Sequence, residues 1–464
     1  MKKLFGFLFL ISFLGSLAFA GPWGIVVNSG QNNINTIDLG VNPPKIYGPF
    51  LTGELGIPGT ALLDVAVTPD NNYALISCFV GSAVYRVDIK DPTHPVLAGK
   101  LATGSFFPED IAISPNGQFA AISDGSGSNQ ICIVDLADFS KLNFYTLTTT
   151  YGFAQAVAIG NDNLTVILCD VERNRLIYGK VNSTLTGLVS ENTVSTDARP
   201  LNVTVSPDGS TVLVASRFNG LISVFQMTPS GSLVPGPNPS IRVFDNPQSI
   251  DFSPDSKKAY VMSYNYPDAK LSWIQISGPG NASLGGINIA SLFGPGNLYY
   301  GVDVLAVAPD GQYAIAGDNE TSTANFAQLI NLSNFQVSKV MTNEQAPTGM
   351  ATFWGAVFPP QNFSISRETN NYIFYKEYIN RLSWQAIANP LTPISNYRIY
   401  WKDQGAADSS YQLLIEVDDS TFNVDHRGLK KTNLYTYRIT AVDSHGRESA
   451  PVEVSNVAAM RRAK

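Results

Sequence analysis

Charge is scarce in this 464-residue chain: Asp, Glu, Lys and Arg together make up 14% of it, and they sum to −7. The basic residues form no run, so the clustered Lys/Arg surface that polyphosphate binding requires is missing and nucleic acid is excluded as an expected partner. Histidine is scarcer still, at His94, His426 and His445. No Ser-His-Asp arrangement, Cys/His metal spacing or Gly-rich phosphate loop can be read from the chain. Cysteine is limited to Cys78, Cys132 and Cys169, an odd number that leaves at least one outside any bridge. Each lies in an apolar strand-like run (ALISCFV, NQICIVDL, TVILCD), where a buried thiol behaves as a small hydrophobe. Beyond residue 20 nothing has the periodicity of a long amphipathic helix, and nothing is long and apolar enough to span a bilayer.

What the chain has in quantity is turn and strand material. Gly 38, Pro 28 and an 11% aromatic content accompany many Thr, Val and Ile residues, which points to an all-β protein. Its length and 44% apolar content supply one large core and a second small one. The first twenty residues differ: Lys2 and Lys3 precede an apolar run ending in Ala18-Phe19-Ala20, the pattern of a cleaved signal peptide. Residues 1–20 are therefore expected to be a signal peptide, with no stable membrane anchor after cleavage. The protein is expected to be exported, whether periplasmic, secreted or held at the cell surface.

One phrase recurs through the chain. It reads DVAVTPDN from Asp64, DIAISPNG from Asp110, NVTVSPDG from Asn202, SIDFSPDS from Ser249 and VLAVAPDG from Val304, with a degenerate copy, AVAIGNDN, from Ala156. The marker residues Pro69, Pro115, Asn161, Pro207, Pro254 and Pro309 stand 46, 46, 46, 47 and 55 residues apart, a period that suits one four-stranded propeller blade. Pro fixes φ, Asp or Asn caps the turn and Gly takes the left-handed position, so each phrase predicts a hairpin into a second strand such as YALIS, FAAIS or VLVAS. A seventh inner strand, GMATFW from Gly349, lacks outer strands of its own, while GIVVNSG, NINTIDL and KIYGPF at residues 24–50 lack an inner one. Sharing one blade between the two ends closes the ring at seven blades and removes its sheet edges.

The phrase, its second strands and third strands such as AVYRVDI and QICIVDL resemble the YVTN and bacterial lactonase-like seven-bladed β-propellers; VYRVDIKDPTHPVL resembles the LVIVD repeat. This resemblance covers residues 21–356 and implies a fold more than an activity, since propellers host unrelated functions. Residues 357–457 resemble a fibronectin type III domain. RLSWQAI matches its second strand, NYRIYWK its third, and the segment from Gly428 its last two; Leu429 and Tyr435 hold the places of the tyrosine corner, with Trp384 in the core. Residues 458–464 form a tail.

A ligand is expected where the loops preceding the inner strands meet those following the second strands. The residues opening inner strands include Asp64, Asp110 and Asp303, and those closing second strands include Asp124, Asp170 and Asp318. Such carboxylates invite a hard cation such as Ca²⁺, although Asp at strand ends also caps turns. Phe107, Tyr264, Tyr266, Tyr299 and Tyr300 add aromatic contact area, Arg217 suits an anionic group, and the Gly/Pro-rich insertion from Gly278 to Gly296 is the expected binding element. These features predict a monomeric binding or scaffold protein that engages a protein, peptide or glycan, with the second domain as spacer or further contact. The alternative, implied by the resemblance, is a lactonase-like hydrolase.

Overall fold

A computed structural model describes residues 21–56, 61–150, 152, 154–265, 268–288, 304–317, 326–341, 347–355, 360–386, 394–443, 446–449 and 451–455. The chain is all-β. A seven-bladed propeller is followed by a two-sheet sandwich, and the one helical turn among the described residues is the 3-10 turn Asp408–Ser410. Blades I to VI span residues 62–102, 108–146, 154–195, 200–242, 247–288 and 304–341, each a four-stranded antiparallel sheet in chain order.

Blade VII is built from both ends. Its inner strand is Pro347–Trp354, against which Pro22–Asn28 pairs antiparallel, with Ile25 opposite Ala351. Asn33–Asp38 and Lys45–Phe50 complete the sheet. The shared blade and its strand assignments are as the repeat count predicts.

Each hairpin turn places the residue two beyond the marker in the left-handed region: Asn71, Gly117, Asn163, Gly209, Ser256 and Gly311 all have φ between 58° and 73°. The turn side chains close it, as where the Thr68 hydroxyl donates to Asp70 at 2.6 Å and Asp70 accepts from the Asn72 amide at 3.0 Å.

Apolar burial runs between blades. A separate core fills each junction: Leu75, Ile111 and Ile122 between I and II; Ile131, Val157 and Leu168 between II and III; Ile167, Val203 and Val214 between III and IV. Leu213, Ile250 and Val261 follow between IV and V, Met262, Leu305 and Ala314 between V and VI, and Ala306, Ile315 and Val26 between VI and VII. The ring closes on Trp23, Ile25, Phe353, Ile76 and Tyr85, which fill the junction of VII with I. Every blade thus has both faces covered, and strand alternation supplies both junctions from one sheet. Cys78, Cys132 and Cys169 are buried in these layers, and no disulfide joins them. Burial pushes the Cys132 thiol up to about 12 and the Cys169 thiol well above its ordinary range, so these two stay protonated and unreactive.

In the sandwich a three-stranded sheet, Gln361–Asn371, Lys376–Gln385 and Asn423–Leu429, faces a four-stranded one of Gln412–Asp418, Ile394–Asp403, Tyr435–Asp443 and Val452–Ser455. Trp384, Tyr397, Ile399, Leu429 and Tyr437 form its core, with Trp384 edge-on to Tyr397 at 5.6 Å. The segment from Gly428 carries the end of one strand and the whole of the next; the last strand lies beyond it, at Val452–Ser455.

Arg447, just beyond the strand Tyr435–Asp443, reaches the propeller. The Arg447 guanidinium donates to the Gly355 carbonyl at 3.2 Å and lies 5.4 Å from the Trp354 ring centroid, held from behind by Asp443 at 2.6 Å.

Candidate functional site at the channel mouth

The antiparallel register puts the start of every inner strand beside the end of its second strand: Leu62 faces Cys78, Pro108 faces Asp124 and Pro200 faces Ser216. Both loop sets therefore lie on one face of the ring, around a cavity of about 290 Å³ at the channel mouth. All seven inner strands line it. Each of blades I to V carries a β-bulge at this point, between Leu62 and Val65, Pro108 and Ile111, Ala154 and Val157, Pro200 and Asn202, and Pro247 and Ser249. A bulge lets two successive residues face the same way, so both Glu109 and Asp110 reach the cavity.

The carboxylates at the inner positions have a structural task. Asp64 accepts from the Ile111 amide of blade II at 3.1 Å, and Asp110 accepts from the Val157 amide of blade III at 2.7 Å. Asn202 and Ser249 repeat the contact toward Ile250 at 3.3 Å and Leu305 at 3.1 Å. In blades I, II, IV and V one side chain thus staples the next inner strand, where an unpaired buried amide would cost about 1–3 kcal/mol. Ala156 cannot do this, and the repeat register puts Val304, not Asp303, at the equivalent place in blade VI.

Asp64 and Asp110 also hydrogen-bond one another. Burial raises both, Asp110 well above the usual carboxylate range because the charge of Asp64 adds to the effect of burial. Glu109 is raised to about 7, first by burial and then by the charges of Asp124 and Asp64, with no hydrogen bond to offset them. Its carboxylate sits against Gly125 and the Phe79 ring, where any β-carbon at residue 125 would overlap it, so Gly125 makes the room.

Asp124 and Asp170, which close second strands, do not line the cavity. Asp124 accepts from the Phe107 amide at 3.1 Å and from Ser126 and Ser128, whose hydrogen bonds hold it below its ordinary range despite burial. Asp170, fully buried, pairs with Arg175 at 2.9 Å and Arg173 at 3.7 Å. Both cap their loops, which is the duller of the two roles the sequence allowed. Arg217 does line the cavity, and its guanidinium stands 5.8 Å from the Phe218 ring, which is 58% exposed on the lip. Phe107 packs on Phe79 at 5.3 Å.

Asp303, Asp318, Tyr266, Tyr299 and Tyr300 lie outside the described residues, as does the side chain of Tyr264. The first part of the insertion from Gly278 is regular: Asp268–Gly278 and Asn281–Asn288 are the third and fourth strands of blade V, and their turn packs on the opposite face, where the Gly280 amide donates to Thr211 at 3.0 Å. His94 is on that opposite face too, with its side chain 80% exposed beside Asp91. Among the described residues no three His, Cys, Asp or Glu side chains are grouped to hold a metal ion.

Glu109 was missed by sequence reasoning, as were Gln155 and Gln248, which occupy the same repeat position and also line the cavity. The signal was available: one residue before the inner position is polar in several blades.

Residues 358–455 match the model of the fibronectin type III domain. No curated protein sequence matches the chain. Among solved structures, a functionally unknown protein from Desulfotomaculum acetoxidans superposes with a TM-score of 0.57 at 16% identity, covering 71% of this chain and 98% of its own. A putative 6-phosphogluconolactonase from Bacteroides uniformis gives 0.58 at 13% identity, over 72% of this chain and 100% of the other. A putative 6-phosphogluconolactonase from Bacteroides fragilis gives 0.56 at 13% identity, over 73% and 99%. At such identities the likeness carries the fold alone.

Proposed function

We propose that this is an exported binding protein whose channel mouth takes a cationic side chain of a peptide or protein, with the sandwich domain as spacer or second contact. One observation carries the reading: Glu109, whose carboxylate feels the charges of Asp124 and Asp64, lines an open cavity of about 290 Å³ without a hydrogen-bond donor of its own among the described residues. A buried carboxylate lacking such a partner gains most from an ammonium or guanidinium brought to it. The cavity accommodates one side chain, not a folded partner, and the exposed Phe218 offers a flat contact beside it. A glycan laid over the same ring is the weaker fit, since it brings no positive charge. Export rests on residues 1–20, and fibronectin type III domains are typical of extracellular proteins; among the described residues no helix is long and apolar enough to cross a membrane.

The test is a fluorescent hexapeptide library with Lys or Arg at each position, screened against the wild type and Glu109→Gln. Basic peptides are expected to bind, and the variant to weaken them by about tenfold, the worth of one charge-assisted contact. Equal binding by both proteins, or preference for acidic peptides, would discard the reading.

A second reading has its own support, because a carboxyl raised to about 7 is also suited to general-base catalysis. Glu109 would take a proton from water as its oxygen attacks a lactone carbonyl and return it to the ring oxygen as the C–O bond breaks, and Arg217 would hold an anionic substituent. Turnover of a small lactone panel that vanishes in Glu109→Gln would replace the binding reading with this one.

A further inference from the structure

The hairpin joining Gln361–Asn371 to Lys376–Gln385 carries Tyr372, Ile373, Phe374 and Tyr375 at its tip, exposed by 48%, 92%, 95% and 62%. Large apolar side chains so fully bared are not a by-product of folding: they leave the sandwich core untouched and bring nothing to it. The tip is nevertheless built. Tyr372 donates its amide to the Tyr375 carbonyl at 2.9 Å, and their rings stack at 4.5 Å, which props Ile373 and Phe374 outward as a pair. Polarity is graded along the projection, from Ile and Phe at the apex to the tyrosines, then to Asn370, Asn371 and Lys376.

A second, independent feature lies at the same end of the sheet. Asn423–Leu429 runs antiparallel to Lys376–Gln385 with Leu429 opposite Tyr378, so the chain leaves it toward the tip at Lys430 and Lys431, both exposed. Arg367 ties this turn to the hairpin by donating to the Lys430 carbonyl at 2.6 Å and the Asn433 carbonyl at 2.9 Å. Nearby Glu377 is engaged by Arg427 at 3.5 Å, which leaves the lysines as the net charge of this rim. In a chain of net charge −7, an apolar apex with tyrosines behind it and lysines around it is a local inversion.

We propose that this tip is a membrane-docking element that inserts Ile373 and Phe374 into an anionic lipid surface. Aromatic side chains with a polar edge settle at the headgroup level, apolar ones reach the acyl chains, and lysines beside them pair with anionic headgroups. The arrangement makes a peripheral, reversible contact that adds to whatever the first twenty residues do. A protein groove would need the apex but has no use for the graded collar and lysine rim.

The experiment uses the full chain with vesicles of phosphatidylcholine alone or mixed with phosphatidylglycerol. A Phe374→Trp variant, read as its difference from the wild type whose five tryptophans both proteins share, reports the tip itself, whatever the amino-terminal segment does. Its emission is expected to shift to the blue with phosphatidylglycerol vesicles and to be quenched by brominated acyl chains. Ile373→Ser combined with Phe374→Ser is expected to weaken co-sedimentation at least tenfold at unchanged thermal midpoint, because burying either side chain is worth roughly a tenfold gain. Lys430→Glu with Lys431→Glu should abolish the preference for the anionic lipid. An unshifted, unquenched F374W indole would overturn the proposal. So would a wild-type dimer in sedimentation velocity that the double serine variant disperses, since the tip would then dock on a second copy.

Discussion

Replacing Glu109 by Gln removes a charge that the propeller holds at a cost, and the gain should depend on pH. Glu109 ordinarily titrates at 4.5 and is raised to about 7 here by burial and by the charges of Asp124 and Asp64. A carboxyl raised in the folded state binds more protons folded than unfolded, so stability falls as pH rises through the window from 4.5 to about 7 and is flat above it. The full displacement corresponds to roughly 3 kcal/mol, and because the side chain faces an open cavity, solvent screening leaves about 1–2 kcal/mol. For a propeller of this size that is a shift of about 2 °C in thermal midpoint. Glu109→Gln is therefore expected to melt about 2 °C above the wild type near pH 8 and level with it near pH 4. The assay is scanning calorimetry at one scan rate, since a large β protein can unfold irreversibly. Asp251, raised to about 6 by burial, titrates in the same direction in both proteins and cancels in the difference. An equal gap at both pH values, or a variant less stable near pH 8, would refute the placement of Glu109.

Other expectations follow from the same geometry. Asp110→Ala leaves the Val157 amide without its acceptor and should cost about 1–3 kcal/mol, whereas Asp110→Asn, which keeps an acceptor, should cost less; chemical denaturation compares them. Deleting residues 21–50 removes three of four strands of blade VII and bares the cores on both sides, so the cooperative melt should be lost. Trp384→Ala should destabilise the sandwich by about 3–5 kcal/mol and leave the propeller transition in place, as two resolved calorimetric peaks would show. The three thiols should ignore Ellman's reagent in the native protein and react together on unfolding, because all are buried.

Much of the fold was legible because a propeller repeats its instructions. Pro69, Pro115 and their counterparts mark the same turn in each blade, and counting them from both ends of the chain exposed the missing strands of the seventh. The site was less legible. Strand alternation puts Glu109 and Asp110 on opposite faces, and only the bulge, which leaves no composition signal, brings both to the channel. The aspartates after second strands looked alike in sequence, yet Asp124 meets serine donors and Asp170 meets two arginines, contacts set by loops that differ between blades. The docking tip was written plainly as NNYIFYKE but fell outside the repeat that organised the reading.

The divided blade also imposes an order of events on synthesis. The strand Pro22–Asn28 is among the first parts of the ring to emerge, and its partner Pro347–Trp354 arrives more than three hundred residues later. Until then the edge of that strand turned away from Asn33–Asp38 leaves its amides and carbonyls to water, an open template for any passing strand, including one from a neighbouring nascent chain. Translation or translocation must therefore run almost to the end of the propeller before the first-made ribbon is safe. Slowing the ribosome anywhere in between should lengthen that exposure and favour exchange of the amino-terminal ribbon between molecules.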